Sequence, residues 1–249
     1  MILLYHKISR EKKTIWYVTD NAFRKQMQYL RKSGKVVVPL KNYDPSNPRH
    51  VAITFDGGYD EMYETAVPIL KEFAFEYDIF LIGDYVGKDN SFDTGEPLEK
   101  FLSVEHLKEI VATGGAHLQW HTNSHKKVDS ISNKADWIAE LTIPNWIRDI
   151  DRLGFTYFAF PFGGNVDWQF EEVKKRFDGA LLVGGGVQND RYRLSRVVIF
   201  EDTDFILLTG SAVARCLRRV ELCIKERRVL KTSLKKMMRG RVRLFGLLG

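Results

Sequence analysis

Val51-Ala52-Ile53-Thr54-Phe55-Asp56-Gly57-Gly58-Tyr59-Asp60 decides the fold. An apolar, partly β-branched run too short for a helix breaks into a carboxylate and two glycines. Such a run predicts a buried parallel strand. A carboxylate at the C-terminal end of that strand stands where barrel and doubly wound enzymes build their sites. The glycines permit a tight turn and a close backbone approach. Taken alone, Asp56 suits equally well the cap of the following helix.

Outward from this run, the chain alternates strand-like and helix-like segments. Strands are predicted at Ile2–Tyr5, Val36–Leu40, Val51–Phe55, Asp78–Ile82, His117–Trp120, Tyr157–Phe160, Ala180–Val183 and Val197–Phe200. Helices are predicted at Asn21–Lys32, Tyr63–Phe73, Ser103–Thr113 with Ser103 as N-cap, Ala135–Leu153 broken near Pro144, and Asp167–Phe177. This alternation favours a mainly parallel α/β sheet, closed or doubly wound. A chain of 249 residues, 44% hydrophobic, is long enough for one sizeable core.

The net charge of +6 divides unevenly. Residues 211–249 hold 12 Lys and Arg against two acids, leaving 26 bases and 30 acids in residues 1–210. The basic charge is therefore an appended element, and no nucleic-acid partner is expected. In that tail Val213, Leu217, Val220 and Ile224 recur at helical spacing among Arg and Lys. The pattern suits a basic amphipathic helix on an anionic membrane, and equally a terminal helix docked by its apolar stripe. The expected division is a barrel at 1–205 and a helical tail at 206–249. Cys216 and Cys223, seven positions apart, are too distant along a helix to bridge, which favours a reducing compartment. The first residues lack a basic leader, and no run is apolar enough to span a bilayer. The expected location is the cytoplasm, with peripheral contact at the inner membrane face through residues 211–249.

Three further segments stand at predicted strand ends. His121-Thr122-Asn123-Ser124-His125 follows His117–Trp120; imidazoles so spaced converge on one divalent metal in a helix or tight loop, or lie exposed on a loop. Thr122, Asn123 and Ser124 are candidates to orient them. Phe160-Pro161-Phe162-Gly163 is either an ordinary strand exit or a source of backbone N–H groups for an oxyanion. His6 closes the first strand, a position that suits a structural histidine as well as a catalyst.

Together and in order, Tyr5-His6, Thr54-Phe55-Asp56-Gly57-Gly58-Tyr59, His121-Thr122-x-x-His125 and Phe160-Pro161-Phe162-Gly163 resemble the polysaccharide deacetylases (the NodB-homology domain, carbohydrate esterase family 4). The likeness runs over roughly residues 1–200 and is greatest to the branch of the poly-N-acetylglucosamine deacetylases, with a smaller echo at Leu194-Ser195-Arg196-Val197. The resemblance implies a deformed (β/α) barrel of about seven strands. It implies a metal-dependent hydrolase that removes N-acetyl groups from an amino-sugar glycan or lipid-linked saccharide. Asp56 then matches the catalytic base, His6 the general acid and Phe162 the oxyanion-binding aromatic. His121 and His125 match metal ligands, zinc being the expected ion. Tyr59, Trp120 and Pro161 are expected to contact the saccharide.

Two positions depart from the pattern. The family's third metal ligand is an Asp where this chain has Gly57, which is expected to weaken metal binding and activity. Asp60 is the nearest alternative carboxylate. The arginine that often precedes the Pro motif is absent from Tyr157–Phe160. The alternative function is a glycan-binding relative without catalysis, using aromatics such as Trp120, Phe162 and Trp168.

Overall fold

The computed structural model describes residues 1–163, 167–184, 190–205 and 208. Residues 1–202 form one compact unit and 203–249 a second. Of the second unit only Thr203, Asp204, Phe205 and Leu208 are described, so the basic tail and both cysteines lie outside the described residues.

The first unit is built on β1 (Ile2–Tyr5), β5 (His50–Gly57), β6 (Tyr77–Leu81), β7 (Ala116–Trp120), β8 (Tyr157–Ala159), β9 (Gly179–Val183) and β10 (Leu194–Val198). These seven strands pair in parallel in the order β1-β10-β9-β8-β7-β6-β5, and β5 returns to β1 through Ile2↔Ala52 to Tyr5↔Phe55. The result is a closed barrel, as the resemblance implied. Its ring is thinnest between β7 and β8, which share one register pair, Trp120↔Phe158. A short β4 (Val36–Val37) pairs with the start of β5 outside the ring. A two-stranded flap, β2 (Lys7–Ser9) and β3 (Tyr17–Thr19), follows β1.

Local chemistry explains the helices. In α1 (Asp20–Lys32) the Thr19 hydroxyl accepts from the Ala22 N–H at 3.2 Å, and Phe23, Met27 and Leu30 form the buried stripe. Full burial of each such side chain is worth about 1.5–3 kcal/mol. The helix α2 (Met62–Glu72) follows the Asp56 turn. In α3 (Val104–Ala112) Ser103 is the N-cap, as expected, its hydroxyl accepting from the His106 N–H at 3.1 Å. The segment expected to break at Pro144 does so, giving α4 (Lys134–Leu141) and α5 (Asn145–Arg148). The last described helix is α6 (Asp167–Lys174). Among the described residues no helix is long and apolar enough to cross a membrane.

Two strands differ from expectation. The last strand lies at Leu194–Val198 rather than Val197–Phe200, because the barrel pairs Ile2 with Arg196 and so takes a charged residue into its wall. The segment Val36–Leu40 is strand only to Val37; Pro39 then starts a 3-10 turn that drops Leu40 into the barrel floor. There Leu40 packs with Ile2, Ala52, Phe80 and Leu181. Its N–H donates to Asp78 Oδ2 at 2.9 Å, while Asp78 Oδ1 accepts from Gln119 and Gln119 Oε1 accepts from the Tyr157 N–H, each at 2.8 Å. The floor is thus closed by a buried polar network as well as by apolar side chains.

Candidate active site

The C-terminal ends of the strands open into a cavity of about 330 Å³ lined by His6, Asp56, Gly57, Tyr59, His121, His125 and Phe162, with Lys7, Trp16, Phe92, Asp93 and Glu96 at its walls. That volume lies within the range of small-molecule sites. The central residues arrive from four strand ends: His6 after β1, Asp56 to Tyr59 at the end of β5, His121 and His125 after β7, and Phe162 after β8. Tyr5 is paired with Phe55, so His6 and Asp56, one residue further on each strand, emerge side by side. His121 follows β7, and its N–H donates to Leu81 O at 2.9 Å, continuing the sheet.

The histidine pair is brought together by a tight loop. Thr122 and His125 both have positive φ, at 71° and 56°, and Thr122 Oγ1 accepts from the His125 N–H at 3.0 Å. Asn123 donates to Ala139 O and Thr142 O, and Glu140 accepts from the Ser124 N–H and hydroxyl. Asn123 and Ser124 thus hold the loop to α4 and its C-terminal end and Thr122 braces the loop itself, instead of bonding the imidazole rings. The rings of His121 and His125 lie 4.9 Å apart. His121 Nδ1–H donates to Ala159 O at 2.8 Å, which leaves the Nε2 lone pair 3.7 Å from Asp56 Oδ2.

The main new partner is Arg196. Its guanidinium grips Asp56 with two bonds, Nη1 to Oδ1 at 2.6 Å and Nη2 to Oδ2 at 2.8 Å, and both side chains are buried. It also lies over the Phe80 ring at 5.4 Å. Burial by itself would raise the Asp56 pKa. The Arg196 charge and bonds, with help from His121 and His6, outweigh that and hold the carboxyl at about 2. Burial lowers the His6 pKa to about 4 and, together with His121, the His125 pKa to about 3. All three imidazoles at the site, His121 included, are pushed toward the neutral form at neutral pH.

Several expected contacts are placed elsewhere. Trp120 is fully buried and donates Nε1–H to Glu140 O at 2.9 Å, so it is a core residue behind β7 and not a saccharide contact. Pro161 is buried and starts the turn after β8 without lining the cavity. Trp168 lies on α6 and does not line it either. Phe162 does: it is 64% exposed at the rim, has φ 57°, and its ring is 4.9 Å from His125. Tyr59 lines the wall, stacked on Phe101 at 4.7 Å and covered by the Lys7 ammonium at 4.8 Å. Asp60 turns away and meets His106 Nδ1 at 2.7 Å, in a separate surface pocket.

The donor set does not fit a three-residue metal site. Two nitrogens are suitable: His125 Nδ1, which is buried without a hydrogen-bond partner, and His121 Nε2, which is left free by the Nδ1–H bond to Ala159 O. Asp56, the carboxylate that among the described residues lies beside His121 Nε2, is taken by Arg196. Among the described residues no group of three His, Cys, Asp or Glu has metal-holding geometry. At Gly57 the backbone has φ +89°, and a Cβ there would stand 2.9 Å from the Tyr59 ring and 3.2 Å from Phe101. The space for a side chain at 57 is therefore filled by aromatics.

Sequence reading missed Arg196, although the echo at Leu194–Val197 marked its position. It also missed Lys7, which is buried yet bonded to Glu96 at 2.8 Å, and Trp16, whose ring packs on His6 at 4.9 Å. The signal for Arg196 and Lys7 is a charge set inside otherwise apolar strands.

Comparison with known proteins agrees with this fold. A Bacillus subtilis protein assigned to the polysaccharide deacetylases is 28% identical over 53% of this chain and 45% of its own length. The match therefore spans less than half of that relative. The poly-beta-1,6-N-acetyl-D-glucosamine N-deacetylase of Staphylococcus epidermidis is 24% identical over 74% of this chain and 68% of its own. Among solved structures, the Streptococcus pyogenes deacetylase PplD in complex with acetate superposes with a TM-score of 0.70 at 19% identity, covering 84% of this chain and 97% of that one. IcaB from Ammonifex degensii gives 0.67 at 19% identity, covering 86% and 97%. The polysaccharide deacetylase family profile matches residues 43–176, more than half of the chain and inclusive of Asp56, His121, His125 and Phe162, and the chain accordingly belongs to that family.

Proposed function

We propose that this chain hydrolyses N-acetyl groups of an amino-sugar glycan of the poly-N-acetylglucosamine type, releasing acetate and a free amine. The observation that carries the reading is the meeting of Asp56, His6, His121 and His125, from three separate strand ends, around one cavity. In the reaction a water oxygen bonds to the acetyl carbon and the C–N bond breaks. Asp56, kept ionised by Arg196, accepts a hydrogen bond from that water and orients it. A carboxylate at about 2 is a poor proton store at neutral pH, so its proton passes on to the leaving nitrogen. His6, a neutral imidazole on the adjoining wall, is the group proposed to relay it. The Phe162 N–H is proposed to meet the oxyanion.

A divalent metal, zinc first, is proposed to bind at His121 and His125 more weakly than at a three-ligand centre. When bound it would supply Lewis-acid polarisation of a carbonyl. Zinc titration of the wild type against His125→Ala tests this apart from turnover; equal binding would remove it. Peripheral contact of residues 211–249 with anionic membranes, on the cytoplasmic side, is a proposal from their sequence. Liposome co-sedimentation of the full chain against residues 1–210 tests it, and equal pelleting would dismiss it.

The activity test is acetate release from β-1,6-linked N-acetylglucosamine oligomers, with and without zinc. Wild-type release that falls at least about 100-fold in Asp56→Asn and His121→Ala is expected. Saturable oligomer binding with no acetate under any condition would leave a glycan-binding relative in place of an enzyme.

A further inference from the structure

The loop from Gly83 to Phe101 forms one wall of the cavity, and its course is fixed by two clamps. Asn90 is buried; its side chain donates to Pro97 O at 2.9 Å and accepts from the Glu99 N–H at 2.6 Å. Glu96 accepts from Lys7 Nζ at 2.8 Å and from the Thr14 hydroxyl at 3.0 Å, while Glu99 accepts from the Tyr17 hydroxyl at 2.9 Å. Between the clamps Asp93 lines the cavity, half-buried, and its N–H donates to Asn90 O at 2.8 Å. Its charge reaches the Tyr59 hydroxyl, whose pKa is raised by burial first and by Asp93 next.

The charges around the cavity can be accounted for one by one. Asp56 is neutralised by Arg196, and Glu96 by Lys7. Asp93 is left: among the described residues its carboxylate takes part in no ion pair and no side-chain hydrogen bond. The cavity lining therefore holds one carboxylate without a cationic partner, and it shares that lining with the aromatic rings of Phe92, Tyr59 and Trp16. A lone carboxylate in a cavity that is also lined by aromatic rings is complementary to an alkylammonium ion, through charge-assisted hydrogen bonds and cation–π attraction. It disfavours an anionic ligand at the same place.

We propose that Asp93 is a specificity-determining residue that receives the ammonium group of a glucosamine unit neighbouring the N-acetylated sugar under attack, so that this chain prefers partly de-N-acetylated glycan. The inference rests on the saccharide-hydrolase reading above. It also has a consequence for product pattern: each amine that is released makes the polymer around it a better ligand, so amines are expected to cluster along the chain.

The test compares affinities by calorimetry at low salt, using a β-1,6-linked N-acetylglucosamine pentamer and the same pentamer with one acetyl group removed. For the wild type the amine-bearing pentamer should bind about tenfold tighter, the size expected of one charge-assisted hydrogen bond. In both Asp93→Asn and Asp93→Ala the ratio should fall to within twofold, and in the wild type it should shrink as salt rises. Equal affinities in the wild type, or an unchanged ratio in both variants, would overturn the role of Asp93 while leaving the hydrolase reading intact. Failure of the wild type to bind either pentamer would overturn both.

Discussion

The barrel interior holds two buried aspartates with opposite electrostatics. Asp56, at the open end, is gripped by Arg196 and sits at about 2. Asp78, at the floor, is as fully buried but among the described residues has only the Leu40 N–H and the Gln119 amide as direct donors; burial pushes it up to about 6. The two lie on neighbouring strands, Asp56 beside Phe80 and Asp78 two residues below it. Desolvation is common to both, so the partner's charge makes the difference. A charged partner keeps a carboxylate ready for chemistry at the mouth, whereas neutral donors serve to tie the floor together.

The largest way to break the contrast is Arg196→Ala. It would leave the Asp56 carboxylate buried and unpaired, at a cost of about 3–5 kcal/mol in unfolding free energy. The Asp56 pKa should rise above the ordinary carboxylate range, which carbon-detected NMR titration would read; an unchanged value would refute the ion-pair account. Next comes the pH dependence of Asp78. Its folded pKa is above its unfolded one, so the folded state binds more protons between about pH 4 and 6. This group therefore favours folding at low pH, and its contribution is lost as pH rises through about 6, by up to roughly 3 kcal/mol. Asp78→Asn should remove that slope from denaturant midpoints measured across the window.

A smaller effect of opposite sign belongs to His6. Its pKa is lowered on folding, so its stabilisation is present above about 6.5 and lost as pH falls toward 4. His6→Gln should flatten stability over that range by roughly 2 kcal/mol, after allowance for partial solvent screening. The smallest change tests whether the mouth tolerates a second carboxylate. Gly57→Asp, at φ +89° and against the Tyr59 ring, should cost about 1–2 kcal/mol of backbone strain, with ring crowding added. It should raise zinc affinity only when Tyr59→Ala is added. A higher zinc affinity in Gly57→Asp alone would show that the ring yields readily.

Much of this was legible in the chain. The alternation of apolar runs and amphipathic helices predicted six of the barrel's seven strands closely, because burial repeats locally and leaves a period. The flap of β2 and β3 was not legible, since three-residue strands carry no period. Trp120, expected to contact the saccharide, instead alternates to the outer face of β7 and packs under α4. The last strand was set three residues late because Arg196 interrupts its apolar pattern.

By itself the sequence determined the strand ends that carry Asp56, His121 and Phe162, and the absence of a side chain at Gly57. Only tertiary structure decided what those groups meet. Asp56 and Arg196 are 140 positions apart and become partners solely because β10 closes on β1 and β1 on β5. Likewise the Tyr59 ring, not the glycine code alone, fills the place beside residue 57. Local residue order fixes backbone conformation, but charge pairing and filled space depend on which distant surfaces the closed barrel presses together.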